Sequence, residues 1–507
     1  MALCRESLEP QGFFGWNDGL ANASHPQQAA AHESPVPTAP LCVDLDGTLI
    51  YSDMLWESLA RLIKQNFLYI FAVPFWVMSG RANLKRQVAA RTTINPALLP
   101  YNESFVQFLR EEKSRGRRIL LVSASDRALV EKVAAQVGLF DEVMASDGQT
   151  NLRSETKRDA LVKKFGQGGF DYAGNSYADV AVWAATRKNI VVNAPKSLAT
   201  RMRNAGRVVA EFAGPPERAR AAWKALRPHQ WVKNIIIFVP LITAHKLRDV
   251  TMVQSSLLAF AAFSFFASGV YVLNDLLDLE SDRQHVRKRN RPLASGRLYL
   301  PWAFIGGPLL LLIPTVLSLI ALPKFALVLL AYGVITTAYS LRLKEVAILD
   351  VFVLAGLYTM RLVAGHVASG IEFSSWLLGF SMFIFLSLAM MKRLQELQSL
   401  REQNLTGIKG RGYVVGDLEI VNTFGMTSGY LSVIVMALYV NSEQVSKLYH
   451  HPGLLLLICP LLLYWISRVW LITHRGQLHD DPVQFALKDV QSYIIGVLAL
   501  LLVWLAT

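Results

Sequence analysis

The chain has 507 residues, 52% of them hydrophobic, with a mean hydropathy of +0.31, which excludes a single soluble domain. The apolar residues concentrate after residue 230, so a soluble front half precedes a membrane back half. The net charge of +13 points to anionic lipid or phosphorylated ligands rather than nucleic acid, because the front half lacks an aromatic-interleaved basic surface. Cys4, Cys42 and Cys459 stand too far apart in sequence to suggest a disulfide or a zinc site, which places the soluble half in a reducing compartment.

Residues 1–39 are rich in Ala, Pro, His, Gln and Ser without apolar periodicity and read as a disordered tail, with no secretory signal. Order is expected from Pro40, where LCVDLDGTL (Leu41–Leu49) suits a buried strand opening into a loop. Strand-like runs follow at Arg117–Ser125, Glu142–Ser146, Phe170–Ser176 and Asn189–Ala194, separated by helical stretches such as Asp126–Val137 and Ser154–Phe165. This alternation predicts an α/β domain with a Rossmann-like parallel sheet, whose ligands gather at the strand C-termini. Asp44, Asp46, Ser123, Asn175 and Asp179 fall at or just past those ends.

DLDGT (Asp44–Thr48), Ser123 after ILLV, Lys157 and GNSYAD (Gly174–Asp179) stand in the order of the four motifs of the haloacid dehalogenase superfamily, which residues 40–212 resemble. The resemblance implies a Mg²⁺-dependent phosphatase with a helical cap over about residues 51–115. Asp44 would attack phosphorus, Asp46 would protonate the leaving oxygen, and Ser123 and Lys157 would hold the phosphoryl oxygens. Mg²⁺ would join the phosphate to Asp44, to the Asp46 carbonyl, and to the fourth motif at Asn175 and Asp179. Asn175 departs from the usual Gly-Asp of that motif and removes a negative charge, so an inactive phosphatase fold remains the alternative. Within the cap, FLYIFAVPFWVMSG (Phe67–Gly80) is too short to span a bilayer; packing in the cap core is placed ahead of a dip into the membrane interface.

Gly206–Ala222 reads as a linker helix broken at Gly214-Pro215-Pro216, overlapping a linker taken over 213–230. RPHQWVKN (Arg227–Asn234) is a basic, aromatic approach to the membrane. Residues 231–507 predict an all-α polytopic membrane domain, with apolar runs at roughly 232–247, 254–276, 300–322, 324–341, 346–367, 374–393, 420–441, 452–473 and 488–506, about nine helices. Lys and Arg gather near 278–299, 342–345, 392–412 and 474–488, which by the positive-inside rule puts those loops and the front domain on the cytoplasmic side of the plasma membrane.

The first basic loop opens with NDLLDLESDRQHVRKRNRPLASGR (Asn274–Arg297). Asp275, Asp278 and Asp282, three and four apart, share one face of a helix, with Asn274 beside them. Carboxylates at the mouth of a membrane span suit Mg²⁺ carrying a phosphorylated ligand, and Lys288, Arg289 and Arg291 follow to clamp phosphate oxygens. NDxxDxxxD followed by KRNRPLASG resembles the first aspartate-rich motif of the UbiA prenyltransferase superfamily, over about residues 223–507. The resemblance implies a transferase that ionises a Mg²⁺-bound diphosphate on Asp275 and Asp278, with Asp282 in support.

YSLRLKEVAILDVFVLAGLYTMRLVAG (Tyr339–Gly365) holds Tyr339 and Lys344 where aromatic prenyltransferases of that superfamily carry a second aspartate group, with Asp350 and Arg361 deeper. Lys392, Arg393 and Glu396 stand near a later helix end. Cations in place of carboxylates mean that the site expects more phosphate than one diphosphate brings. With RPHQWVKN, these runs resemble the decaprenyl-phosphate phosphoribosyltransferase branch. That implies transfer of 5-phosphoribose from phosphoribosyl pyrophosphate to a polyprenyl phosphate whose tail lies in the lipid bilayer. Arg227, Lys233, Asn234, Lys344, Lys392 and Arg393 would serve substrate phosphates in roles left undivided. The front domain would then remove the 5-phosphate for envelope glycan synthesis. An aromatic prenyltransferase of quinone or haem synthesis and a lipid-phosphate scaffold with a dead phosphatase are the alternatives; oligomeric state stays open.

Overall fold

The computed structural model describes residues 39–507 except 148–150, 216–217, 406–410, 479–480 and 487. Of the expected tail, residues 1–38 lie outside the described residues, as does Gly410.

A parallel sheet with strand order β3-β2-β1-β4-β5-β6 carries the front half. Its strands are β1 (Leu41–Asp44), β2 (Ile119–Asp126), β3 (Glu142–Ser146), β4 (Asp171–Gly174), β5 (Asn189–Val192) and β6 (Val208–Phe212). β1 sits in the middle, pairing Leu41 with Ile119 on one side and with Asp171 on the other. Alternate residues of β1 and β2 enter opposite layers: Leu41, Val43, Ile119 and Leu121 pack into one core, Cys42, Leu120 and Val122 into the other. Two covered faces are why these strands read as unbroken apolar runs. β6 was not expected; Val208–Phe212 falls where a linker helix was read, and its alternately half-buried VVAEF closes the sheet edge instead.

Three helices, α1 (Met54–Gln65), α2 (Tyr69–Met78) and α3 (Arg81–Ala89), form the insertion after β1. Next, α4 (Glu103–Ser114) returns to the sheet and buries Phe105, Val106 and Leu109 there. Between the strands run α5 (Arg127–Val137), α6 (Glu155–Phe165), the single turn α7 (Val180–Trp183) and α8 (Lys196–Asn204). No α2 residue is buried; Phe71, Phe75 and Met78 stand open, so the apolar stretch does not fill the cap core.

After α9 (Arg218–Leu226) the chain enters the membrane half by 3-10 turns over Pro228–Phe238 and a short α10 (Val239–Thr243). The expected first span at 232–247 is therefore not a continuous helix; Pro228 and Pro240 bracket the irregular stretch and each lacks the N–H a helix interior needs. Among the described residues seven helical segments are long and apolar enough to cross a bilayer. They are α11 (Val250–Leu277), α13 (Leu300–Ala321), α14 (Pro323–Leu341), α15 (Leu349–Ser369), α16 (Ser375–Glu402), α17 (Leu418–Val440) with the turn ahead of it, Val415–Val440 in all, and α19 (Ile458–His474) with the turns ahead of it, Pro452–His474 in all. Short helices α12 (Leu279–Gln284), α18 (Glu443–Leu448) and α20 (Pro482–Ala486) lie between them, and the 17-residue α21 (Val490–Ala506) closes the chain. One membrane core joins α11, α14 and α15 through Phe263, Phe266, Leu329 and Leu357; another joins α15, α16, α17 and α19 through Val351, Leu394, Val421 and Trp470.

The two halves meet at α1. Ala60 and Trp56 pack against Val272, Leu276, Leu279 and Leu293, and Glu57 accepts two bonds from Arg283 at 2.6 and 3.1 Å. Gly296 stands in the left-handed region at φ 70°, and a side chain there would come within 2.5 Å of Tyr51 Cβ, so the PLASG turn of the membrane half must end in glycine to seat the front domain.

Candidate active sites in the two halves

At the C-terminal end of β1, the Asp44 carboxylate is buried and receives Lys157 Nζ at 2.6 Å. Burial pushes Asp44 up to about 7 against the pull of Lys157. Lys157 also donates to Tyr172 Oη at 2.9 Å, and Asp44 and Asp179 outweigh burial to hold its pKa above the ordinary lysine value. Asp46 accepts from Met54 N at 2.8 Å and Ser125 Oγ at 2.7 Å, with Ser123 Oγ at 3.3 Å, so its carboxylate points toward the cap. Asp53, beside it, is pushed up to about 7 by burial and by Asp46.

Asp179 is occupied: one oxygen accepts from Tyr172 Oη, the other from the Asn175 and Ser176 amides and the Ser176 hydroxyl at 2.9–3.1 Å. It ties the fourth motif together rather than facing open space. Asn175 instead lies on the first loop, its amide so close over Gly47 that a side chain there would stand 1.9 Å away. Gly47, at φ 77°, permits both the turn and the approach. Among the described residues no three His, Cys, Asp or Glu side chains cluster as a metal site, but the Asp44 carboxylate, the Asp46 carbonyl and the Asn175 amide oxygen are hard donors of the kind Mg²⁺ takes. The Cys42 thiol, pushed up to about 12 by burial, is chemically quiet.

In the membrane half, the three aspartates do not form one continuous helical face. The α11 helix stops at Leu277, Asp278 is its C-cap, and α12 starts at Leu279. Asp275 and Asp282 turn inward and are buried, while Asp278 turns out to Lys64 of the cap at 3.0 Å. Arg291 Nη1 bridges Asp275 at 2.9 Å and Asp282 at 2.7 Å, and Arg227 adds a bond to Asp275 at 2.5 Å. Burial raises the Asp282 pKa, opposed by Arg291. Two buried carboxylates that converge on one cationic nitrogen form a place where a divalent ion fits once the guanidinium is displaced. Asn274 donates to Ser340 at 3.2 Å; Lys288 and Arg289 lie on an exposed turn.

Beyond Arg227, which stacks on Tyr271, the wall continues to Arg361. This guanidinium is 5% exposed and bonds Asn234 Oδ1 at 2.9 Å and the Leu357 carbonyl at 2.5 Å, amid the rings of Phe263, Tyr332 and Tyr358. Among the described residues no carboxylate pairs with it. Lys233, over Tyr358, donates to Asp481 at 3.1 Å, with Lys392 at 3.8 Å from the same oxygen. These two cations outweigh burial and lower the Asp481 pKa.

Further on, Asp350 is wholly buried and accepts from Arg393 and the Tyr413 hydroxyl, both at 2.6 Å. Arg393 also bonds Glu396 and reaches Tyr339 Oη at 3.2 Å, where Arg411 arrives at 3.3 Å. Tyr339, Asp350, Arg393 and Glu396 thus form one network, whereas Lys344, on the turn Leu343–Glu345, joins none of it among the described residues. Sequence reasoning missed Lys64, Lys85, Ser125 and Tyr172 in the front half and Arg411, Tyr413 and Asp481 behind. Asp481 carried a readable signal, an acid inside the basic 474–488 loop, whereas Arg411, between two glycines in the sequence, carried little.

Residues 236–488 match the UbiA prenyltransferase family, and residues 41–182 match the haloacid dehalogenase-like hydrolases. The uncharacterized protein y4nM of Sinorhizobium fredii is 38% identical over 463 residues, 90% of this chain and 89% of its own. Nodulation protein NoeC of Azorhizobium caulinodans is 36% identical over 275 residues, 54% of this chain and 88% of its own. A decaprenyl-phosphate phosphoribosyltransferase of Mycobacterium tuberculosis is 30% identical over 290 residues, 56% of this chain and 91% of its own.

Proposed function

The chain belongs to the UbiA prenyltransferase family and carries a haloacid dehalogenase-like hydrolase domain ahead of it, and from that premise we propose a bifunctional integral membrane enzyme. Its membrane half transfers 5-phosphoribose from phosphoribosyl pyrophosphate to a polyprenyl phosphate. Its front half then removes the 5-phosphate to leave polyprenyl-phosphoryl-ribose, on the cytoplasmic face of the plasma membrane, for envelope glycan synthesis.

The observation that carries this reading is Arg361. Among the described residues no carboxylate meets this buried cation, and such a charge is costly unless an anion comes to it. Lys233, Lys392, Arg393 and Arg411 bring the cations to five against the carboxylates Asp481, Asp350 and Glu396, which leaves a positive surplus for phosphate. A donor with a diphosphate and a 5-phosphate, together with an acceptor phosphate, fits that excess. The named activity of the mycobacterial relative points the same way.

In the transferase step an oxygen of the polyprenyl phosphate attacks C1 of the ribose, the bond from C1 to pyrophosphate breaks, and pyrophosphate leaves with the electron pair. Arg291, displaced from Asp275 and Asp282, is free to take leaving-group oxygens, and Arg361 with Lys233 holds the phosphates whose geometry aligns the attack. In the phosphatase step Asp44 attacks phosphorus as Asp46 protonates the ribose 5-oxygen. Asp46 then deprotonates a water that releases inorganic phosphate from Asp44. Lys157 and Ser123 balance charge on the phosphoryl oxygens. Asp275 and Asp282 in one site, and Asp44, the Asp46 carbonyl and Asn175 in the other, would hold Mg²⁺, which would supply positive charge to stabilise the departing or transferring phosphate.

The test is incubation of purified protein with Mg²⁺, phosphoribosyl pyrophosphate and a polyprenyl phosphate, following the lipid by mass spectrometry beside an Asp44→Asn variant. Ribosyl lipid from the wild type and phosphoribosyl lipid from the variant establish both steps and their order. A lipid that acquires no sugar from either protein rejects the reading.

A further inference from the structure

One helix of the front half is apolar all round yet covered on one side only. Tyr69, Val73 and Trp76 of α2 pack against Leu59 and Leu62 of α1 and Leu84 and Val88 of α3. On the other side Phe67, Phe71, Phe75 and Met78 are 61–84% exposed, with no charged residue in the helix. A soluble cap would rarely leave so contiguous a patch open.

Two further observations say what covers it. The patch runs into the outer face of a membrane helix: Phe304, in the first turns of α13, packs into the same cluster and meets the Trp56 ring at 4.9 Å. The α13 side chains Ile305, Leu309 and Leu312 stand exposed beyond it, as a lipid-facing surface does. The second observation is charge. Between Glu57 and Glu103 the sequence has no acidic residue and six basic ones: Arg61, Lys64, Arg81, Lys85, Arg86 and Arg91. Exposed Arg91 lies over the Trp76 ring at 5.2 Å, and Arg86 is exposed beside it.

We propose that α2 is an in-plane membrane anchor, which seats the phosphatase cap in the acyl–headgroup boundary of a bilayer containing anionic lipid. Its 10 residues make a rod of about 15 Å, half the hydrocarbon thickness, so it lies along the interface rather than crossing it. Apolar residues on the lower face, an interfacial Trp and Tyr, and arginines at headgroup level are the composition such helices need. The proposal rests on the membrane placement of α13, not on the chemistry proposed above. Its consequence is a substrate class. The pocket lined by Met54, Ser58, Lys85 and Ser125, between the cap and the end of β2, is then held at the bilayer surface, where it meets phosphates carried on lipids.

The experiment uses the full chain in nanodiscs of phosphatidylethanolamine and phosphatidylglycerol holding one chain each. The background is Cys4→Ser with Cys459→Ser, leaving the buried Cys42 in place. A spin label goes on Phe71→Cys or Met78→Cys, with Val209→Cys on the exposed edge strand β6 as reference. The ratio of collisions with dissolved oxygen to collisions with a water-soluble nickel chelate reports depth. We expect a ratio several-fold higher at positions 71 and 78 than at 209, and its collapse to the 209 value at position 78 when Phe71→Asp and Phe75→Asp are added. Equal ratios at 78 and 209 overturn the anchor. A ratio that rises only in discs holding two chains assigns the face to a second copy, which also overturns it.

Discussion

A guanidinium whose partners among the described residues are an amide, a carbonyl, a tyrosine hydroxyl and three aromatic rings has no carboxylate opposite its charge, and Arg361 is in that position. Replacing it should separate function from stability. Arg361→Gln keeps a donor toward Asn234 but removes the charge; transfer should fall by about 10²–10³-fold, as for loss of one preorganised electrostatic contact. The melting temperature should hold or rise, because glutamine keeps the bond toward Asn234 while the cost of burying a charge without a carboxylate is removed. A variant that transfers sugar normally, or that melts well below wild type, removes Arg361 from the site. Asp350→Asn is the opposite case. It strips Arg393, fully buried, of its best acceptor, and breaking such a pair costs about 3–5 kcal/mol. Thermal denaturation in detergent should register that loss directly; little change would mean that Glu396 alone can hold Arg393. Both residues were legible in the sequence as charges inside apolar runs, and so were Lys157 and Asp44 through motifs that resemble those of the haloacid dehalogenase superfamily. The partners were not legible. Asp481 and Tyr413 lie 248 residues from Lys233 and 63 from Asp350, respectively, and only tertiary folding brings them in.

Helices α1 and α3 of the cap each lead to a prediction. At the C-terminal end of α1 Lys64 holds Asp278, and the pair is about 36–43% exposed, so water screens it and its strength is modest. Were Asp278 to turn inward beside Asp275 and Asp282 as a third metal ligand, Lys64 would compete with the metal for it. Lys64→Ala should lower the Mg²⁺ concentration for half-maximal transfer by about two- to fivefold, the range of an exposed ion pair. An unchanged or higher requirement would make the contact a docking device only. From the neighbouring α3, Lys85 reaches the Ala124 carbonyl at 2.6 Å at the phosphatase mouth, and burial lowers its pKa. Lys85→Met should raise KM for a phosphate ester about tenfold with kcat little altered, as expected for a cation that binds the substrate and its transition state alike. A fall in kcat at constant KM would move Lys85 into the chemistry. Elements were readable where periodicity was strong, as in β1, β2 and the seven long helices. They misled where local pattern and packing diverged: β6 is short and half-buried beside Gly214-Pro215-Pro216, the stretch at 232–247 is apolar enough to span but interrupted at Pro240, and α2 is apolar without being covered.

Placing a phosphatase on the rim of the transferase makes the seam between them a functional part of the molecule. The aspartate-rich loop is gripped by the front half at four places: Glu57 on Arg283, Arg61 on Glu280 at 2.7 Å, Lys64 on Asp278, and Tyr51 against Gly296. A cleft lies along that seam, between α1, the 93–98 segment and the start of α12. On the function proposed above, a lipid whose phosphoribosyl head left the first site would emerge beside the second domain, and the distance it had to diffuse would depend on this contact staying closed. Loosening the seam tests whether that matters. Glu57→Gln removes the charge opposite a buried Arg283, and Gly296→Ala forces a side chain into Tyr51 at a left-handed position. Together they should undock the halves without touching Asp44, Lys157, Asp275 or Arg361. In single-turnover assays the double variant should form phosphoribosyl lipid, and should hydrolyse added phosphoribosyl lipid, at rates within about twofold of wild type, because the groups that stabilise each transition state are untouched. What should change is the interval between them. Wild type passes from phosphoribosyl to ribosyl lipid with little free intermediate, whereas the variant accumulates intermediate that a chase of unlabelled phosphoribosyl lipid can dilute. If the chase dilutes wild type and variant equally, the halves are tethered but independent, and the seam serves stability alone.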